Sequence, residues 1–258
     1  YSLDLDTTKY EKKTMTVDGK KVAFRAYENR VYVAHPVDTT YQSMNIYVPE
    51  GYFNGKTING YTAKTAPIFL PNTVGGYMPG APGQPSENDR MTGGANAMLV
   101  ALSKGYVVAA PGARGRTTQA ADGTYTGKAP ALIVDMKAAV RYLRHNAGKL
   151  PGDTEKIISN GTSAGGALST LIGATGDSKD YEPYLKALGA ADERDDIYAS
   201  SVYCPITDLD HADMAYEWMF NGVNTYHQGN MGAMKPPAGN SQAKPAGVVT
   251  NRPDNAPV

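Results

Sequence analysis

The chain of 258 residues carries 25 Lys and Arg against 25 Asp and Glu, so its formal net charge is zero at pH 7. A chain without net charge does not attract nucleic acid or an anionic membrane at long range, and we expect neither as a partner. With 41% hydrophobic and 19% charged residues the composition is typical of a globular domain. The single cysteine excludes an intrachain disulfide and a multi-cysteine zinc site.

Alternating apolar and polar residues predict β-structure near the start of the chain. Met15–Val17 and Lys21–Tyr27 flank the turn pair Asp18-Gly19, which predicts a β-hairpin. Met44–Val48 predicts another strand, ended by Pro49. These antiparallel segments fit the edge of a mixed sheet.

From Ile68 onward, short apolar strands alternate with helices. The predicted strands are Ile68–Leu70, Tyr106–Ala110, Lys156–Asn160 and Tyr198–Cys204. The predicted helices are Ala95–Lys104, Leu132–Asn146, Ala164–Ala174 and Tyr181–Leu188. This alternation predicts an α/β fold with a mostly parallel sheet and helices on its faces.

Two expectations concern the exposure of side chains. In the helix Leu132–Asn146 the apolar residues share one face, so we expect Lys137, Arg141 and Arg144 to point into solvent. Cys204 closes a predicted strand, and we expect a buried, unreactive thiol there. From Gln228 to Val258 the composition shifts to Gly, Pro, Asn and Gln, which predicts an exposed loop or a disordered segment.

The most informative motif is a serine between two glycines, Gly161-Thr162-Ser163-Ala164-Gly165. It follows a predicted strand and precedes a predicted helix, the context of a nucleophile elbow. In such a turn the serine has a strained backbone, and the glycines omit Cβ atoms that would clash. The N–H of Ala164 then faces a developing oxyanion. The other interpretation of Ser163 is a helix N-cap in a tight turn.

A second oxyanion donor is expected from the loop after an earlier strand. Asn72–Tyr77 directly follows Ile68–Leu70, and Gly75-Gly76 allows a close approach of the backbone. The other interpretation of Gly75-Gly76 is an ordinary turn.

A nucleophilic serine also needs a base and a carboxylate, and in this fold both follow it in the chain. After Ser163 only one good strand remains, so the sheet is expected to end about two strands early. The candidates for base and acid are Asp208, Asp210, Asp213, His211 and His227. They would share one loop or short helix, which disfavours a triad built from them. We expect instead that His211 and the aspartates form a polar cap on the helix around Trp218.

Four blocks of residues carry a family resemblance. The blocks are Pro71–Tyr77, Arg114–Thr118, Asn160–Gly166 and Tyr203–Trp218. Together they resemble the bacterial tannases, or tannin acyl hydrolases, from about Asp18 to Asn224. The resemblance implies an α/β-hydrolase fold: a mixed, mostly parallel sheet with helices on both faces and a helical lid inserted after the sixth strand. It also implies hydrolysis of galloyl esters in gallotannins and simple gallates such as methyl gallate.

The resemblance assigns roles to four residues of this chain. Ser163 matches the nucleophile, Gly76 and Ala164 match the oxyanion-hole amides, and Ile206 matches an apolar residue that packs on the galloyl ring. The family's triad Asp and His, and the side chains that bind the ring hydroxyls, lie beyond the lid. This sequence has no matching positions for them.

The resemblance also implies a domain organisation and a partner. Residues 1–206 match the N-terminal part of the hydrolase core, truncated before the last strands, and residues 207–258 match the start of the lid. The chain then needs a C-terminal complement, which can be a separate chain, and neither a metal nor an organic cofactor is expected. Two alternatives stay open: a feruloyl or acetyl esterase of the same fold, and a non-catalytic protein that binds phenolic compounds.

Overall fold

The structure is a computed structural model that describes residues 1–89, 93–208, 210–211, 214–223, 225–226 and 249–250. The chain divides into two compact units, Tyr1–Thr207 and Asp208–Val258. The Gly- and Pro-rich segment predicted from Gln228 lies outside the described residues, except for positions 249–250.

The first unit is built on a seven-stranded sheet. Its strands are β1 (Glu11–Val17), β2 (Lys20–Val31), β3 (Ser43–Pro49), β4 (Pro67–Pro71), β5 (Val107–Pro111), β6 (Asp153–Thr162) and β7 (Ala199–Tyr203). Their order across the sheet is β1-β2-β3-β5-β4-β6-β7. The pairs β1/β2, β2/β3 and β3/β5 are antiparallel. The pairs β5/β4, β4/β6 and β6/β7 are parallel. The predicted mixed sheet with an antiparallel hairpin at one edge is thereby confirmed.

Helices cover both faces of this sheet. They are α1 (Ala97–Ser103), α2 (Ala131–His145), α3 (Ala164–Ala174) and α4 (Glu182–Ala187), with short 3-10 helices at Glu50–Asn54 and Lys179–Tyr181. On one face Leu99 and Leu102 of α1 pack in a cluster with Phe24 and Tyr47. The larger cluster on the other face contains most of the apolar residues of α2 and several of α3. This arrangement confirms the predicted α/β fold class.

The prediction for the charged face of α2 is wrong. Lys137, Arg141 and Arg144 are all buried. The chain ahead of β7 covers this face and brings a carboxylate to it: the Lys137 Nζ lies 2.7 Å and the Arg141 Nε 2.8 Å from the buried Asp195. The helix therefore buries apolar residues on one side and paired charges on the other.

The second unit contains α5 (Met214–Phe220) and a two-stranded pair, β8 (Thr225–Tyr226) with β9 (Val249–Thr250). Ahead of α5 the backbone N–H of His211 donates to Asp208 at 3.2 Å, and the ring Nδ1 lies 3.1 Å from the same carboxylate. Both side chains are exposed. Asp213 and His227 lie outside the described residues.

No helix in the described ranges has both the length and the apolar character needed to cross a bilayer. Among the same residues, His, Cys, Asp and Glu side chains form no group of three or more that could hold a metal ion.

Candidate active site

Three of the predicted site segments follow parallel strands, and the carboxyl ends of these strands lie side by side. Pro71 of β4 is in register with Asn160 of β6, and Thr162 of β6 is in register with Tyr203 of β7. In open α/β sheets, ligands bind outside the carboxyl ends of the strands. The loop after β4, the start of α3 and the segment after β7 therefore come together where this fold places its sites.

Ser163 occupies the turn between β6 and α3 in a strained conformation, with φ 58° and ψ −121°. Its backbone is held on both sides, because its N–H donates to the Tyr203 carbonyl at 3.0 Å and its carbonyl accepts from the Ala167 N–H at 2.9 Å. The residue is exposed, and its side chain makes no capping hydrogen bond to the helix. This geometry leaves the hydroxyl open to a substrate and does not support the N-cap interpretation.

The glycines around Ser163 are required by close backbone contacts. A Cβ at Gly161 would lie 2.2 Å from the carbonyl oxygen of Gly165, and a Cβ at Gly166 would lie 2.8 Å from that of Tyr203. Real Cβ atoms do not approach this closely, so any side chain at either position would push α3 away from its strands. The glycines thus set how tightly the serine is held against the sheet.

The two amides expected to stabilise an oxyanion are those of Gly76 and Ala164. Within the described residues, neither the Gly76 N–H nor the Ala164 N–H donates to another protein group. Ala164 begins α3, an eleven-residue helix, so its N–H carries the partial positive charge of a helix start. Gly76 has φ 57° in a turn closed by the Met78 N–H and the Gly75 carbonyl at 3.0 Å. Gly76 therefore lies in a turn, and among the described residues this turn leaves its N–H without a protein acceptor.

The turn at Gly76 is fixed by the segment after β5. The Arg116 Nε donates to the Gly76 carbonyl at 3.0 Å, and the Arg116 N–H donates to the Tyr77 carbonyl at 2.8 Å. Two residues earlier, Arg114 forms a two-pronged contact with Asp135 of α2, at 3.0 and 2.8 Å. Burial opposes the charge of this guanidinium, but the hydrogen bonds with Asp135 raise the pKa of Arg114. The loop is thereby tied to a core helix.

Asn72, Arg114 and Arg116 support the site but were given no individual role by the sequence. All three lie in the blocks that carry the family resemblance. Their contacts join residues up to 97 positions apart, as between Asn72 and Ser169. A local pattern does not reveal such contacts, so only the family blocks pointed to them.

The segment after β7 exposes two of the residues considered above. Ile206 is 42% exposed, so its apolar side chain is available to a ligand. Cys204 is an exposed free thiol with φ 45°, so the prediction of a buried strand thiol is wrong. The strand ends at Tyr203, and the left-handed backbone of Cys204 turns the chain out of the sheet.

Comparisons with known proteins agree with the fold. The sequence model of the BD-FAE family matches residues 79–252, more than half of the chain. A tannase structure from Fusobacterium nucleatum is 60% identical, with a TM-score of 0.83, over 88% of this chain and 47% of that chain. A tannin acyl hydrolase in complex with ethyl gallate is 51% identical, with a TM-score of 0.78, over 87% of this chain and 49% of that chain. Esterase LipQ of Mycobacterium tuberculosis is 30% identical over 90 residues, which are 35% of this chain and 20% of LipQ.

These identities confirm the resemblance to bacterial tannases and the α/β-hydrolase fold that it implies. The chain spans about half the length of the tannase structures that it matches.

Proposed function

Because the chain belongs to the BD-FAE family of α/β-hydrolases, we propose that it is the nucleophile-bearing part of a serine ester hydrolase that cleaves galloyl esters. One observation carries the proposal: Ser163 is exposed, strained and free of a capping bond at the turn between β6 and α3. Strain of this kind is retained where the surrounding structure over-determines it, typically at functional sites.

The proposed reaction is acyl transfer through this serine. The Ser163 oxygen attacks the ester carbonyl carbon while its proton passes to a histidine of the C-terminal complement. The N–H groups of Gly76 and Ala164 bind the negative oxygen of the tetrahedral intermediate. The ester C–O bond then breaks, and the alcohol leaves with the proton from the histidine. Water repeats these steps on the galloyl-enzyme, releasing gallic acid and free Ser163.

The galloyl group is favoured as substrate by the similarity to tannases. At 60% and 51% identity this chain is far closer to the two tannase structures than to esterase LipQ at 30% over 90 residues. One of those structures contains ethyl gallate. In the proposal, the exposed Ile206 packs on the aromatic ring of the substrate. The contacts to the ring hydroxyls come from the complement.

A C-terminal complement is supported by the unequal edges of the sheet. At one edge, β1 carries Glu11, Lys12 and Lys13, charges of the kind that protect an edge strand from further pairing. At the other edge, Ala199–Tyr203 of β7 has no Asp, Glu, Lys or Arg. We propose that further strands of the complement pair with β7. In the same proposal, residues 207–258 begin the lid, to which the exposed apolar side chains of α5 contribute.

The first test is hydrolysis of methyl gallate by the full-length protein. We expect Ser163→Ala to lower kcat by about 10⁴-fold or more, because the nucleophile is lost, whereas loss of one oxyanion donor costs about 100-fold. Ser103→Ala, at the end of α1, is the matched control and should keep wild-type turnover. Unchanged hydrolysis in Ser163→Ala would reject the nucleophile.

A second measurement separates the open alternatives. Intact-mass analysis after treatment with a fluorophosphonate should show one adduct in the wild type and none in Ser163→Ala. Preference for methyl ferulate over methyl gallate would instead indicate a feruloyl esterase. An unlabelled protein that still binds gallate would indicate a non-catalytic phenolic-binding protein.

A further inference from the structure

The side chain of Asn72 connects three segments beneath the candidate site. It lies directly after β4, and its two N–H groups are shared among three acceptors: the carbonyls of Asn160 and Gly165, each 3.1 Å from the Nδ2, and the Ser169 Oγ at 2.9 Å. Its Oδ1 accepts from the Val74 N–H at 3.2 Å. One planar amide thus contacts the end of β6, the first two turns of α3 and the loop that leads to Gly76.

These contacts fix the orientation of the amide. The carbonyls of Asn160 and Gly165 only accept hydrogen bonds, so the NH₂ group must face them, and the Oδ1 must face the Val74 N–H. A carboxylate in the same position would place a negative oxygen against two carbonyl oxygens. The site therefore requires an amide and does not accept an isosteric acid.

The two glycines of the serine motif leave space for this amide. A Cβ at Gly161 would lie 2.6 Å from the Asn72 Nδ2, and a Cβ at Gly165 would lie 2.5 Å from the Asn72 Oδ1. The amide is therefore packed against both glycines that flank Ser163. The absence of side chains at Gly161 and Gly165 therefore makes room for the Asn72 amide as well as for the sharp turn at Ser163.

We propose that Asn72 is a positioning residue that sets the separation between the two oxyanion-hole amides. It bonds Gly165, the neighbour of Ala164, and it bonds Val74, two residues before Gly76. Stabilisation of an oxyanion depends on donors held in place before reaction, and a shift of about 1 Å can cost about 100-fold in rate. The inference rests on the proposed function, because it assigns Gly76 and Ala164 their role.

The test compares Asn72→Ala with the wild type in the full-length protein. With methyl gallate we expect kcat to fall roughly 10- to 100-fold while KM stays within about 2-fold, because only the transition state engages both donors. The affinity of an arylboronic acid, which forms a tetrahedral adduct on serine, should fall by the same factor. A variant with wild-type kcat and boronate affinity would overturn the positioning role.

Two further variants separate positioning from stability. Asn146→Ala removes another buried amide, which bonds Leu5 and Leu3 at the end of α2, and should lower stability without changing kcat. Ser169→Ala removes only the hydroxyl that accepts from Asn72, while both carbonyl acceptors remain, and should leave kcat within about 3-fold. An equal loss of kcat in Asn146→Ala would contradict the proposal. If Asn72→Ala does not fold, Asn72→Ser, whose hydroxyl can still accept from Val74, takes its place in each comparison.

The rate at which a fluorophosphonate labels Ser163 does not depend on a galloyl substrate. It therefore tests the role of Asn72 separately from the proposed galloyl specificity. A wild type that is labelled but does not cleave methyl gallate rejects the galloyl substrate, and the labelling rates still decide the role of Asn72. Slower labelling of Asn72→Ala supports positioning, and an equal rate rejects it. A wild type without labelling overturns both the serine chemistry and the role of Asn72.

Discussion

At the scale of single residues, the backbone of Ser163 is the feature on which the candidate site depends. Its φ of 58° and ψ of −121° fall in a region that glycine adopts readily and other residues avoid. The contacts of its N–H and carbonyl with Tyr203 and Ala167 hold it there. A residue held in this way costs about 1–3 kcal/mol of folding free energy. The strained backbone that exposes the Ser163 hydroxyl therefore lowers the stability of the fold.

We expect Ser163→Gly to be more stable than Ser163→Ala by about 1–2 kcal/mol, because glycine removes the strain but adds entropy to the unfolded chain. Both variants lose the hydroxyl, so activity does not distinguish them and the free energy of unfolding does. Urea unfolding followed by circular dichroism measures the difference. Equal stabilities would show that the backbone at this position carries no strain.

At the scale of elements, α2 combines an apolar face with a face of buried charges. Asp195 accepts from the Lys137 Nζ at 2.7 Å, from the Arg141 Nε at 2.8 Å and from the Asp177 N–H at 2.9 Å. This carboxylate pairs with two cations that are shielded from water, and Arg141 has a second anionic partner, Glu182, at 2.8 Å. The segment that carries it crosses α2 just before β7 begins. The charge pairs therefore fix the course of the chain into the last strand of the sheet.

We expect Asp195→Asn to lower the free energy of unfolding by about 3–5 kcal/mol, because it removes the carboxylate that pairs with the buried Lys137 and leaves Arg141 with only the partly exposed Glu182. Glu11→Gln, which removes an exposed pair with Lys13, should cost less than about 1 kcal/mol. Chemical denaturation of both variants provides the comparison. A small effect at Asp195 would mean that water or Glu182 compensates the charge.

Most elements could be predicted from the sequence because strand and helix periodicity are local properties. The helix at Ala164–Ala174 has the bounds that its pattern indicates, and the turn at Asp18-Gly19 joins β1 to β2. The exposure of Lys137 was predicted wrongly, since the pattern does not show that a distant carboxylate covers that face. The candidate nucleophile was visible as a motif. Asn72 was not, because its role comes from contacts across the fold.

At the scale of the whole molecule, several of the 18 tyrosines belong to the core. Tyr27, Tyr32 and Tyr47 are buried, and the hydroxyl of Tyr32 donates to the Gly112 carbonyl at 2.8 Å. Burial raises the pKa of Tyr142 to about 12, and burial likewise raises the pKa of Tyr52 to about 12. Such residues release a proton on unfolding once the pH exceeds their unfolded pKa of 10.0. The molecule is therefore sensitive to alkali.

The raised pKa values of the buried tyrosines predict how the free energy of unfolding depends on pH. Between about pH 10 and 12 the native state holds more protons than the unfolded state, so stability falls as the pH rises and is unaffected below that window. Each buried tyrosine contributes about 1.4 kcal/mol per pH unit. Tyr142→Phe should reduce the slope of unfolding free energy against pH by that amount. Tyr125→Phe, at an exposed ring, is the control, and an identical slope in both variants would contradict the assignment.

The unequal edges of the sheet have a consequence for the isolated chain. Among the described residues no strand pairs with the outer side of β7, so its outward main-chain N–H and C=O groups can bond an extended strand, including β7 of another copy. Two copies joined through β7 would turn their charged β1 strands outward, so that growth stops at a dimer and does not continue into fibrils. Self-association of the chain produced alone should accordingly reach a plateau at twice its mass, and a lysine introduced by Ser201→Lys should prevent it.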